Sequence, residues 1–210
     1  MEPGSEFRTH TDLTPLFSQH EHWPATRDII STGVTYNLAE MSEETRKEDL
    51  EYTMKRGNHK SASDPENKPT LIKNYENEVL HGWMLPVTLE CVPKIKGASV
   101  IPVGVAPQFT IDANGDRKVK RRTTHDASFA NGNSLSINDR MDKETLTNYF
   151  YGHCLIRMLH AIHIMRFTKP KQRILITKLD LDVAYRRLHM LAKMAIMTIT
   201  IIKQIAYILL

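Results

Sequence analysis

Cysteine is almost missing from this chain. Cys91 and Cys154 are the two among 210 residues, too few and too far apart for a disulfide framework or a zinc ribbon. An intracellular, reducing compartment, cytoplasmic or nuclear, is the expectation that follows. Phe, Trp and Tyr are also sparse, at 7%. No hydrophobic run is long enough for a membrane span. The most apolar stretch, Met190 to Leu210, is divided by Lys193, Lys203 and Gln204, and its uninterrupted part falls short of the roughly 20 residues a spanning helix needs. The opening Met1-Glu-Pro-Gly-Ser-Glu-Phe-Arg8 is polar and is followed by no apolar core of a secretory signal. No membrane partner is expected.

A hydrophobic share of 41% is ordinary for a globular chain, and the length suits one domain or a domain with a tail. Charge is unevenly spread. Residues 1–67 carry seven Lys/Arg against 13 Asp/Glu, whereas residues 68–210 carry 21 against 11. A basic C-terminal two-thirds suits a polyanionic partner, although a solvated lysine surface gives the same balance.

Residues 1–67 show little apolar periodicity and read as a polar, largely irregular extension. One helix is expected there, capped by Ser42, with Glu43 and Glu44 in its first turn and a stop at Arg56-Gly57. Asn58 to Pro69 reads as a linker. His20 and His22 lack further clustered ligands and read as a solvated pair rather than a metal site.

Beyond the linker, Ile72, Tyr75, Val79 and Leu80 recur at helical spacing, Gly82 supplies a left-handed stop and Pro86 prevents resumption. Thr88–Pro93 and Ala98–Pro102 suggest short strands with prolines at their ends or edges. Asn114-Gly115, between Phe109–Asp112 and Arg117–Thr123, is a strong hairpin signal. The second strand of that hairpin holds Arg117, Lys118, Lys120, Arg121 and Arg122, so both faces are charged. It is either a charged edge that resists aggregation or a phosphate-binding arm in which arginine forks hold paired oxygens.

Asn148 to Arg166 predicts an amphipathic helix whose Leu155, Met158, Leu159, Ile162 and Met165 stripe belongs to a core. His153, Cys154 and His160 lie on it without completing a metal-ligand set. Arg173-Ile-Leu-Ile-Thr-Lys-Leu179 then has the short apolar run of a buried strand, with Asp180 at its end. Asp180 or Asp182 could simply cap a following helix. Ala195–Ile202 and Ile205–Leu210 suggest two further strands joined at Lys203-Gln204.

Three motifs, taken jointly, carry a resemblance. Asp180-Leu-Asp-Val-Ala-Tyr185 follows an apolar strand; Arg122-Thr-Thr-His-Asp126 follows a basic one; and Gly132-Asn-Ser-Leu-Ser-Ile-Asn138 closes the next loop. Over about Leu80 to Leu210 the chain resembles the reverse transcriptase (RNA-directed DNA polymerase) family, closer to retrotransposon than to retroviral members. The fold this implies is α+β, the fingers and truncated palm of a right-hand polymerase. On that division residues 1–67 are the extension, 68–172 a fingers-like region with the basic hairpin, and 173–210 the start of the palm.

The resemblance implies nucleotidyl transfer assisted by two Mg ions in the complete enzyme, acting on an RNA or DNA template-primer and a dNTP. Asp180 would be the first catalytic carboxylate and a metal ligand, with the backbone carbonyl of Leu181 beside it. Arg122 would contact the nucleotide triphosphate, helped by Lys118 or Lys120, and Tyr185 would exclude a ribose 2′-hydroxyl. Asp126 and Asn138 match supporting positions. The family's Pro-x-Gly loop and Tyr-x-Asp-Asp hairpin have no counterpart before Leu210, so a fragment inactive by itself, with an exposed apolar sheet edge, is the expectation. The alternatives are a nucleic-acid-binding relic without catalysis and an RNA-dependent RNA polymerase fragment, the latter disfavoured by the bulky Tyr185. The oligomeric state stays open.

Overall fold

The computed structural model describes residues 10–112, 114–132, 134–145, 151–176 and 188–210. The chain is α+β with small antiparallel sheets. It divides into two units, residues 1–141 with 185–210, and residues 142–184.

The first unit is built on the sheet β1 (Met84–Thr88), β5 (Ile205–Leu209) and β4 (Thr200–Ile202), in the order β1-β5-β4. Strand alternation divides its side chains between two cores. Ala206 and Ile208 join Leu50, Val92, Ala98, Val100, Ala195 and Ile199. Met84 and Ile202 join Ala62, Leu71, Tyr75, Val103 and Val105. The sheet therefore lies between α3 (Glu43–Arg56), which supplies Leu50, and α5 (Lys68–Leu80), which supplies Leu71 and Tyr75.

Tyr75 ties the second core to its surroundings. It is 2% exposed, its ring meets Tyr207 edge-on at 4.8 Å, and its hydroxyl donates to Thr200 Oγ1 at 2.9 Å. Pro86 sits within β1 and faces Tyr207 across the ladder. It is tolerated because β1 is paired on one side alone, as an edge strand. The strand expected at Thr88–Pro93 is instead a 3-10 helix, Leu89–Lys94, that follows β1.

Residues 10–67 are not largely irregular, a correction to the sequence reading. They hold α1 (His10–Phe17), α2 (Trp23–Thr32), α3 and α4 (Lys60–Ser63). The expected boundaries of α3 hold: Ser42 accepts from the Thr45 amide and Gly57 follows the last turn. Its buried stripe is Arg46, Leu50 and Thr53, which a hydrophobicity pattern scores as polar. Arg46 is accommodated because Glu43 takes its guanidinium in two bonds, while Nη1 donates to the Ala98 carbonyl at 2.7 Å.

The expected linker is likewise structural. Asn58 accepts from the Val103 amide at 2.9 Å and donates to the Ile201 carbonyl at 2.6 Å, stitching one sheet to the other. The His59 amide donates to the Val103 carbonyl at 3.0 Å, and Ser61 Oγ accepts from the Val105 amide at 3.0 Å. Residues 58–61 thus stand in for a third strand along β2 (Val103–Ile111). This covers backbone groups that would otherwise be an open edge.

The helix expected around Ile72–Leu80 is α5, and Gly82 follows it at φ 73°. At the chain's far end the expected hairpin is β4–β5, though its first strand is shorter than the sequence suggests. Ala192–Ala195 form a helical turn, α8, and Ile199 pairs in parallel with Val100. Lys203 (φ 49°) and Gln204 (φ 65°) make the two-residue turn, both in the left-handed region.

The second unit contains α7 (Tyr151–Thr168). The helix is where the sequence puts it, but its stripe is not core. Leu155, Met158, Leu159 and Met165 are exposed among the described residues. Arg173 to Ile176 form no strand, and Leu175 and Ile176 are exposed. The rest of that expected strand lies outside the described residues. No described helix is long and apolar enough to cross a membrane.

Candidate functional site

The basic hairpin is β2 paired with β3 (Arg117–His125) in unbroken register from Val103↔His125 to Ile111↔Arg117. The turn forms where Asn114-Gly115 places it. Asp112 Oδ1 accepts from the Asn114 and Asp116 amides, both at 2.9 Å, and Gly115 has φ 89°. Alternation then sorts the charged residues of β3 onto two faces.

One face turns toward α5 and uses its charges internally. Asn74 donates to Thr123 Oγ1 at 3.0 Å, and His125 Nε2 meets the Tyr75 hydroxyl at 3.2 Å. Arg121 donates to Asn67 Oδ1 at 2.8 Å and to Glu66 Oε2 at 2.9 Å. Near the tip, Arg117 stacks over Phe109 with its guanidinium carbon 3.6 Å from the ring centroid. Phe109, Ile111 and Val119 are exposed there.

The other face carries Lys118, Lys120, Arg122 and Thr124, opposite Thr110, Gln108, Ala106 and Gly104. Lys118 is engaged: its Nζ lies 2.7 Å from Asp112 Oδ2. That bond, with the loop amides, holds the Asp112 carboxyl below its usual range. Lys120 and Arg122 are exposed, and their side chains form no ion pair or hydrogen bond with any described residue. Of the two lysines between which the sequence leaves the choice open, Lys118 is engaged and Lys120 makes no side-chain bond to a described residue.

At the foot of this face, Asp126 is fixed from three sides. Its amide donates to the Pro102 carbonyl at 2.9 Å, Oδ2 lies 2.9 Å from His59 Nε2, and Oδ1 accepts from the Ser128 amide at 3.1 Å. Asn138 joins the cluster, donating to Ser128 Oγ at 2.7 Å while its amide donates to the Ala127 carbonyl at 3.1 Å. The Ser136–Asp139 capping box of α6 (Ile137–Arg140) sets that geometry. The turn after Asp126 is pinned to α3 as well. Phe129 stacks with Tyr52 and lies 4.5 Å from the Arg56 guanidinium, and Asp49 accepts from Ser134 at 2.7 Å and from Asn131.

Comparison with protein-family models, curated proteins and solved structures finds no match. The functional reading rests on the residues themselves.

Among the sequence-derived candidates, the fold brings Arg122, Lys120, Lys118, Asp126 and Asn138 onto one hairpin and its supporting turn. Asp180, Leu181 and Tyr185 lie outside the described residues. No described group of three His, Cys, Asp or Glu is arranged to hold a metal ion. His59 was missed in the sequence because its surroundings look like linker; Glu66 and Asn67, which engage Arg121, were missed for the same reason. The face is chemically suited to hold oxyanions. A guanidinium fork and an ammonium project on alternate residues, about 7 Å apart along the strand, with no internal carboxylate between them.

Proposed function

We propose that this chain carries the fingers and the start of the palm of a retroelement reverse transcriptase, an RNA-directed DNA polymerase. On this reading the β2–β3 hairpin is the arm that grips the phosphates of nucleotide or template. The observation that supports it is the sorting of charge on β3: Arg121 and Lys118 are engaged by carboxylates, while Arg122 and Lys120 are left uncommitted on one exposed face.

Arg122 would bind triphosphate oxygens through its planar fork. Asp126, held by His59 and Ser128, would set the direction of the strand end that carries Arg122, acting as a positioning residue. Asn138 would fix the turn beneath it. Asp180 and the Leu181 carbonyl would hold the magnesium ions, whose chemistry is to activate the primer hydroxyl and clamp the leaving group. Tyr185 would discriminate the sugar. Nucleotidyl transfer takes further carboxylates than Asp180, and this sequence has no motif matching them.

The test is photolabelling by an azido-substituted dNTP in the presence of Mg, with the adduct mapped by mass spectrometry. Label on the peptide spanning Arg117–Asp126, abolished in Arg122→Ala, is the expected result. Undiminished labelling of Arg122→Ala would overturn the assignment. Excess ribonucleotide should compete poorly, and more effectively in Tyr185→Ala.

The nucleic-acid-binding relic draws on the same face. It parts from the polymerase reading at one point: it expects oligonucleotide binding with no triphosphate labelling at all.

A further inference from the structure

A groove of about 440 Å³ opens in the first unit, away from β3, lined by residues from the segments 36–41, 96–99 and 193–197, by the start of α3 and by Arg140. Its lining divides into two kinds. Tyr36, Met41 and Met197 form a half-buried wall with one hydroxyl, and methionine there adapts to flat or irregular partners. Lys96, Arg140 and Lys193 supply three cations.

The cations outnumber the acids that line the groove, with Glu43 near Lys96 and Asp49 near Arg140. Of the two carboxylates lining the groove, Glu43 is bound in two bonds by Arg46, the arginine that α3 buries. Glu40 is exposed. Lys96 and Lys193 make no side-chain hydrogen bond or ion pair with a described residue. Arg140 uses Nε on the Ala39 carbonyl at 2.9 Å, and its two terminal amino groups meet no acceptor among the described residues. Burial lowers the affinity of this half-buried guanidinium for the proton, and the nearby Asp49 carboxylate acts in the opposite direction. Tyr36 is pushed the other way by burial, which keeps its hydroxyl protonated as a donor.

The geometry of the region is rigidly set. Leu38 pairs with Met141, and the Ala39 amide donates to the Arg140 carbonyl at 2.8 Å. On the far side, the Ser99 amide donates to the Ile196 carbonyl at 3.0 Å. A preformed, mixed apolar and cationic cleft of this size is the ordinary description of a small-ligand site.

We propose that this groove binds one nucleotide unit, its phosphate held by Arg140, Lys96 and Lys193 and its base laid against Tyr36, Met41 and Met197. The unit comes either free or as part of a strand. The site is separate from the hairpin and does not depend on the polymerase reading.

The experiment is titration calorimetry of the full chain with adenosine 5′-monophosphate and, separately, with an oligothymidylate of eight residues. The variants are Lys96→Glu/Lys193→Glu and Glu40→Gln, each made in the Lys120→Ala/Arg122→Ala background so that the hairpin contributes to neither titration. Both groove lysines are exposed, so their reversal should leave the fold intact, checked by circular dichroism. Loss of two charge-assisted contacts weakens binding about tenfold or more. A tenfold loss of monophosphate affinity in the groove variant relative to that background, with tighter binding in Glu40→Gln, is the expected result for a free nucleotide. The same pattern seen with the oligonucleotide alone assigns the strand as the source. Binding of both probes that the groove variants leave unchanged would overturn the proposal, as would no measurable binding of either.

Discussion

The division of charge on β3 makes a prediction that its composition alone would not. Lys120 and Arg122 share one face and are uncommitted; Arg121, between them, is held by Glu66 and Asn67. Neutralising the first two should remove two phosphate contacts, and neutralising the third should remove none. For a single strand, the slope of log K against log salt is about −0.7 per phosphate neutralised, so Lys120→Ala/Arg122→Ala should flatten it by about 1.4. Between 50 and 200 mM salt the unmodified chain should therefore lose about sevenfold more affinity than the double variant. Fluorescence anisotropy with a labelled RNA oligonucleotide at several salt concentrations reads both slopes. Because both side chains are exposed, thermal stability should stay within about 0.5 kcal/mol. Arg121→Ala is the internal control: it should leave the slope unaltered and lower stability by about 1 kcal/mol or less, since Glu66 is exposed. An Arg121 variant that flattens the slope as much as the double variant, or a double variant that leaves it unaltered, would refute the face-by-face reasoning.

Other outcomes follow from the fold. Tyr75→Phe should cost about 1–2 kcal/mol in urea unfolding, because the Thr200 and His125 partners lose a bond inside a sealed core; no change would show the hydroxyl to be idle. Gln204→Gly should stabilise by about 1 kcal/mol, since Gln204 holds φ 65° without being glycine, and a destabilised variant would contradict that turn. The Glu43 carboxyl is held below its ordinary value of 4.5 by the hydrogen bond from Arg46. Unfolding then raises its proton affinity, so its contribution is present above the ordinary value and is lost as pH falls through the depressed folded one. Glu43→Gln should flatten the acid limb of stability against pH, leaving the part in which Asp112 acts in the same direction; superimposable acid limbs would count against the Arg46 bond.

What could be read in advance is what local chemistry dictates. Ser42 with Glu43 and Glu44 marks the start of α3, Gly82 marks the end of α5, and Asn114-Gly115 sets the β2–β3 turn, each through backbone preferences that act over a few residues. The errors are tertiary. Asn58 looks like linker because its value lies in two backbone groups, Ile201 and Val103, far along the chain. Arg46 and Thr53 look like solvent-facing residues because polarity hides a buried stripe when the partners of each group are supplied by the fold. Leu155, Met158 and Leu159 look like core because the periodicity of a helix reports an apolar face and not what covers it. At the candidate site, the residue types on β3 and the Arg122–Asp126 spacing were legible. Which cations are free was not, because that depends on Glu66, Asn67 and His59 arriving from segments with no motif of their own.

The most direct test of the central claim is site mapping by cross-linking. An RNA template containing 4-thiouridine, annealed to a DNA primer, is irradiated with the full chain and the adducts are located by mass spectrometry. The account predicts adducts concentrated on the segment from Lys118 to Asp126 and lost in Lys120→Ala/Arg122→Ala. Adducts confined to other segments, with the hairpin unlabelled, would contradict it.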